Sequence, residues 1–146
     1  MKNDVHEPSV SALLIGGYAS DRLLVQEVFR KSGWRLFEAR GRHWATRLLE
    51  KSQVQVVIAE SDLPGWDWKA ILLDLRSLVH PPELVVTSRM ADDLLWAEVL
   101  NLGGYDVLPQ PLERDEVQRV VASARRHFDL QSLRETRRPA LAAGAA

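Results

Sequence analysis

The sequence predicts an α/β protein, one domain built on an open five-stranded parallel sheet with helices on both faces. Three observations carry this. Five short apolar runs alternate with five longer amphipathic segments, and such alternation implies right-handed βαβ crossovers. The β-branched run "VQVVIA" is nearly continuous in apolarity, as suits a central parallel strand covered on both faces. At 146 residues the chain is long enough for one sizeable core and too short for a (β/α)₈ barrel.

The elements follow in order. "VSALLI" (Val10–Ile15) is the first strand. In "SDRLLVQEVFRKSG", Ser20 is read as a helix cap, Leu24, Val25, Val28 and Phe29 share a helical face, and Gly33 suits the left-handed position that ends a helix. "WRLFEA" (Trp34–Ala39) is the second strand. Arg42–Lys51 is a helix expected to turn Trp44, Ala45, Leu48 and Leu49 inward. The β-branched "VQVVIA" is the third strand, at the centre of the sheet. Trp68–Val79 forms the third helix on an Ile71, Leu72, Leu75, Leu78 stripe, stopped by "HPPE" because proline disfavours helix before it. "LVVTS" (Leu84–Ser88) is strand four. "ADDLLWAEVLNLGG" is helix four, capped and charged at its start by Asp92 and Asp93. "YDVLPQP" holds strand five. A last helix runs from about Glu113 into the 130s on Val117, Val120, Val121, Ala124 and Phe128, and "PALAAGAA" reads as a disordered tail. The expected organisation is an N-terminal extension over 1–9, the domain over 10–128, and a helix extension with its tail over 129–146.

Composition narrows the function classes. A formal net charge of -1 gives no electrostatic bias toward nucleic acid or membrane. The absence of cysteine excludes thiol catalysis and disulfides. No apolar stretch approaches the roughly 20 residues that cross a bilayer. The N-terminus "MKNDVHEPSV" has no apolar signal region, so a cytoplasmic location is expected. The four histidines, His6, His43, His80 and His127, have no ligand spacing, and no metal or other cofactor is expected. Thr87 and Ser88 are followed by no His or Lys at a catalytic spacing, and no nucleophile elbow is present. No enzymatic activity is expected.

In open parallel sheets, sites lie beyond the carboxyl ends of the strands. That rule selects Gly16 and Gly17 after strand one, Glu60–Asp62 after strand three, Thr87–Arg89 after strand four, and Gln110 and Pro111 after strand five. These residues carry a resemblance. "ESDLPGWDW" resembles the D-x-x-x-P-G-x-D-G loop of response-regulator receiver domains. "VVTS" resembles their V-x-T-A, and "NLGGYDVLPQP" their x-A-G-A-D-D-Y-L-x-K-P. The match spans about Val10–Phe128. It implies the flavodoxin-like fold of the chemotaxis regulator, with strand order 2-1-3-4-5, and a role in bacterial two-component signalling.

The resemblance also shows what is missing. In the family, an acidic pair after strand one and an aspartate after strand three bind Mg²⁺, and that aspartate accepts a phosphoryl group from a histidine kinase. A Thr/Ser and a Lys contact the phosphoryl oxygens, and an aromatic on strand five reports the state. Here the acidic pair falls on Gly16 and Gly17, the acceptor on Glu60, the lysine on Gln110 and the aromatic on Val107. Thr87 is kept, and Asp62 stands where the family gives a backbone carbonyl to the metal. Mg²⁺ needs placed carboxylates. Phosphoryl transfer is positioning plus charge neutralisation by metal and cations. Two glycines and a glutamine supply neither, so the expectation is a degenerate, phosphorylation-independent receiver.

Several readings stay open at this point. Glu60 either mimics the phosphorylated state, with Arg89 as its cation, or is a polar loop residue satisfied by neighbours. "GGY" is either a phosphate-cradling turn or a tight turn relieved of side chains. Trp34 and Trp44 are expected to pack, and Trp66 or Trp68 to cover the empty pocket. Trp96 and Val107 mark the expected partner face on helix four, strand five and helix five. That face serves a signalling partner, the chain's own output domain, or a homodimer. From Arg125 to Arg138 five arginines face only Asp129 and Glu135, so a basic nucleic-acid-binding tail is an alternative, though an unfavoured one. So is a sensor that takes a small ligand in the vacated pocket. A flavin enzyme of this fold would need a Ser/Thr-rich phosphate loop, and "GGYASD" is a poor version of one.

Overall fold

The computed structural model describes residues 9–145, with side chains as far as Glu135. Its elements are β1 (Ser11–Ile15), α1 (Ala19–Ser32), β2 (Arg35–Ala39), α2 (Arg42–Lys51), β3 (Val56–Glu60), α3 (Trp68–Arg76), β4 (Glu83–Ser88), α4 (Asp93–Leu102), β5 (Asp106–Pro109) and α5 (Arg114–Ala145). All strand pairs are parallel, in the order β2-β1-β3-β4-β5. Because β1 leads to β2 on one side while β3 lies on its other side, the chain reverses direction across the sheet between β1 and β3.

Successive strand residues point to opposite faces, so each strand feeds two cores. Ala12, Leu14, Val56, Ile58, Val85 and Leu108 pack under α1 and α5, against Val25, Phe29, Val117, Val121 and Ala124. Leu13, Ile15, Val57, Ala59, Val86 and Val107 pack under α2, α3 and α4, against Ala45, Ile71, Leu75 and Val99. Local signals end the helices as the sequence predicts. Gly33 takes φ 72° after α1, and the Asp92 carboxylate accepts from Leu95 N at 2.9 Å to cap α4. The Asp67 carboxylate caps α3 through Ala70 N at 3.0 Å, where the sequence reading named no cap.

Four expectations fail, each for a geometric reason. Ser20 does not cap α1, because the helix already starts at Ala19 behind Tyr18 and its first hydrogen bond runs from Arg22 N to Tyr18 O. Trp44 is 62% exposed and meets His43 edge to face. Ala45, Leu48 and Leu49 form the inward face of α2, and Trp44 stands one position, about 100° of rotation, away from it. The third helix ends at Arg76, ahead of the prolines. There the Ser77 hydroxyl donates to Asp74 O at 2.7 Å and unwinds the last turn. The backbone of α5 continues as helix to Ala145 through the segment read as a disordered tail, in keeping with alanine's top rank as a helix former. The N-terminal extension at 1–8 lies outside the described residues.

Candidate functional site

The carboxyl ends of β1, β3, β4 and β5 converge, and they bring Gly16, Gly17, Glu60, Thr87 and Gln110 to one end of the sheet. Gly16 and Gly17 leave β1 at φ 71° and 102°, a region costly for residues with a Cβ. The space above Gly16 is occupied. A Cβ there would lie 2.5 Å from Leu63 Cδ2, because Leu63 of the β3–α3 loop folds back over the β1 turn. The place where the family carries metal-binding carboxylates is therefore filled by a leucine.

Glu60 is the last residue of β3, in register with Thr87 of β4 and half-buried. Ser61 N donates to Thr87 O at 2.9 Å, which ties the two strand ends, and Thr87 is buried. Burial pushes the Glu60 carboxyl above its usual range. The Asp21 and Asp62 carboxylates push the same way, while the Gln110 amide and the Arg89 guanidinium oppose them. Arg89 does not form a salt bridge with Glu60 among the described residues. Its guanidinium lies 4.0 Å from the centre of the Tyr18 ring, a cation–π contact that caps the turn leaving β1.

The polar centre of the site is a residue that sequence reasoning missed. Asp21 on α1 is only 6% exposed. Its Oδ2 accepts from Gln110 Nε2 at 3.0 Å and its Oδ1 accepts from Leu112 N at 3.0 Å. A buried carboxylate persists when donors satisfy it, and here both come from the segment after β5. The Gln110–Pro111 peptide of that segment is cis. Gln110 Oε1 is buried without a partner among the described residues.

Other expected site residues fall elsewhere. Asp62 is exposed at the rim. Trp66 and Trp68 are buried in the core beneath α2, α3 and α4, and the Trp66 indole donates to Asp74 Oδ2 at 2.9 Å. Neither covers the site; Leu63 does. Val107 is 8% exposed and faces that same core, so it cannot be part of a contact face. Trp96 is half exposed, with its Nε1 donating to Asp106 Oδ1 at 3.2 Å. Trp34 meets Phe29 edge to face, as packing predicts. Among the described residues no three His, Asp or Glu side chains gather as a metal site, and no helix is long and apolar enough to cross a membrane. The residues at the strand ends do not fit Mg²⁺: Gly16 and Gly17 supply no carboxylate, Leu63 lies over Gly16, and Asp21, Glu60 and Asp62 do not gather as a metal site.

Two outcomes test this geometry. Gly16→Ala should destabilise the fold by about 1–3 kcal/mol, through strain at its positive φ and through the Leu63 contact, and less in a Leu63→Ala background where only the strain remains. A urea double-mutant cycle reads the coupling, and equal costs in the two backgrounds would contradict the contact. For Glu60 the sign follows from its raised pKa. The folded state holds the proton more tightly than the unfolded state does. Stability contributed by this group is therefore lost as pH rises from the ordinary 4.5 through the raised value. Glu60→Gln should melt higher than the parent at neutral pH, with the difference closing below 4.5.

No protein-family profile matches the chain. It is 23% identical over 109 residues to sporulation initiation phosphotransferase F of Bacillus subtilis, a match covering 75% of this chain and 88% of that protein. It is 30% identical over 96 residues to protein PetR of Rhodobacter capsulatus, covering 66% of this chain and 40% of PetR. It superposes on the signal receiver domain of a LuxO repressor protein from Vibrio parahaemolyticus with a TM-score of 0.76 at 20% identity, covering 88% of this chain and 98% of that one. The strand order, the five helices and this superposition agree: the chain has the flavodoxin-like fold of response-regulator receiver domains.

Proposed function

We propose that the protein is a receiver module of two-component signalling that works without phosphoryl transfer, through protein–protein contact. The fold and the two relatives support the first half of this reading. The observation that carries the second half is Leu63 seated over Gly16, with Asp21 and Gln110 bonded to each other beside Glu60. In-line phosphoryl transfer needs a metal, a cation and an acceptor at a fixed distance. This site offers a leucine, a neutral amide, and a carboxyl one methylene longer than aspartate.

Glu60 serves as a fixed member of the polar cluster rather than as a mimic of the phosphorylated state. A mimic needs a paired cation, and Arg89, stacked on Tyr18, forms no salt bridge with Glu60 among the described residues, while Gln110 is neutral. The domain therefore presents one conformation of its surfaces. The surface offered to a signalling partner is the outer flank of α4 beside β5, where Trp96 and Leu100 are exposed. Aromatic side chains in such positions are common anchors of binding energy.

Incubation with acetyl phosphate and Mg²⁺ should leave the intact mass unchanged, and no acyl phosphate should form at Glu60. A stable phosphoryl adduct on Glu60 would overturn this reading.

A further inference from the structure

The other flank of α4 is a second surface, distinct from the one just described. Between α3 and α4 runs an open groove of about 820 Å³, floored by Trp68 and Leu95 and walled by Leu94 and Leu102, with Asp62 and Asp92 at its upper end. Leu94 is 81% exposed. Glu98, also on this flank, is already paired with Lys69 at 2.8 Å. The unbalanced charge of the groove is therefore the negative charge of Asp62 and Asp92, with Asp93 beside them in the first turn of α4. The surface suits an amphipathic helix that carries apolar side chains flanked by cations.

The chain carries such a helix itself. Phe128 is the last residue of α5 to sit in the core. Beyond it, Leu130 and Leu133 are each more than half exposed, and Arg126 and Arg134 are exposed beside them. Positions 126, 130 and 133 follow the i, i+4, i+7 spacing, so a cation and two leucines share one face. This apolar and basic stripe complements the apolar and acidic groove.

Topology decides which copy supplies it. α5 packs with α1 on one face of the sheet, and the groove lies on the other face. The helix is unbroken from Arg114 to Ala145, and Glu135 on it still meets His80, in the loop leading into β4, at 3.8 Å, far along the helix from its last core residue Phe128. It cannot turn back to its own α3–α4 groove. We infer that the α5 extension of a second copy occupies the groove, so that two chains exchange their terminal helices reciprocally. Reciprocal exchange closes the pair and leaves no open end for a filament. Each inserted helix also abuts Asp62 and Ser88, next to the strand-end site, so pairing places a contact where the fold's phosphoryl chemistry would act.

Sedimentation velocity of the full chain across a concentration series tests this. The parent should dimerise, more weakly at high salt. Leu94→Glu should weaken the dimer at least tenfold while keeping its far-UV circular dichroism, since that side chain is exposed. The chain contains no cysteine, which allows a second, independent readout. An equimolar mixture of Asn101→Cys and Gln131→Cys chains should be cross-linked by a long-arm bismaleimide, and neither variant alone should be. A parent that stays monomeric, a dimer indifferent to Leu94→Glu, or a mixture that fails to cross-link would each overturn the assignment. So would a dimer lost on Trp96→Ala but kept in Leu94→Glu. A monomeric chain that binds an added basic amphipathic peptide in a Leu94-dependent way would give the groove to a foreign helix and refute the exchange.

Discussion

The carboxyl end of this sheet is organised by one buried acid. Asp21 holds the amide of Gln110 and the backbone N–H of Leu112, residues 89 and 91 positions further along the chain. It thereby joins the first helix to the segment entering the last. A carboxylate at this depth is costly unless donors surround it, and removing either donor would leave the acid uncompensated. Two neighbours at this end respond to it: Gln110 is held by it, and Glu60 feels it as a second negative charge. In the receiver fold as resemblance describes it, this pole is left open for a metal and a phosphoryl group that come and go. Here the chain itself supplies both donors to Asp21, while Gln110 Oε1 stays buried without a partner among the described residues.

The apolar half of the same closure is Leu63 on Gly16. The two halves reinforce each other. With no side chain at Gly16, the β3–α3 loop settles against β1, and with Leu63 there the turn can admit nothing larger. The phosphorylation-independent role proposed above rests on contacts that hold one arrangement. Switching would require two arrangements of similar free energy, each favoured by a different ligand state.

The central strands were legible in the sequence because parallel strands buried on both faces read as nearly unbroken apolar runs, and the rule for open sheets then selected the site from the strand ends. Gly16, Gly17, Glu60, Thr87 and Gln110 were selected that way, and the strand order sets them at one end of the sheet. Asp21 was not found, although it had a signal. It precedes Val25 by four residues and Val28 by seven, so it lies on the buried stripe of α1, where an acid demands a partner. Leu63 left no such trace, because loop conformation follows from the Gly16 turn and the Trp66 core contact rather than from periodicity. Val107 and Trp44 failed for the reverse reason. Their orientation depends on strand pleat and helix phase, which a shift of one residue inverts.

The central claim is that the strand-end site is closed to metal and phosphoryl group alike. It is tested most directly by following the backbone amide resonances of Gly16, Glu60, Thr87 and Gln110 while Mg²⁺ and then beryllofluoride, a phosphoryl analogue, are added to saturating concentration. The account predicts that these resonances stay in place. A saturable shift shared by all four would mean that the site still assembles around a metal and a phosphoryl mimic, and would contradict it.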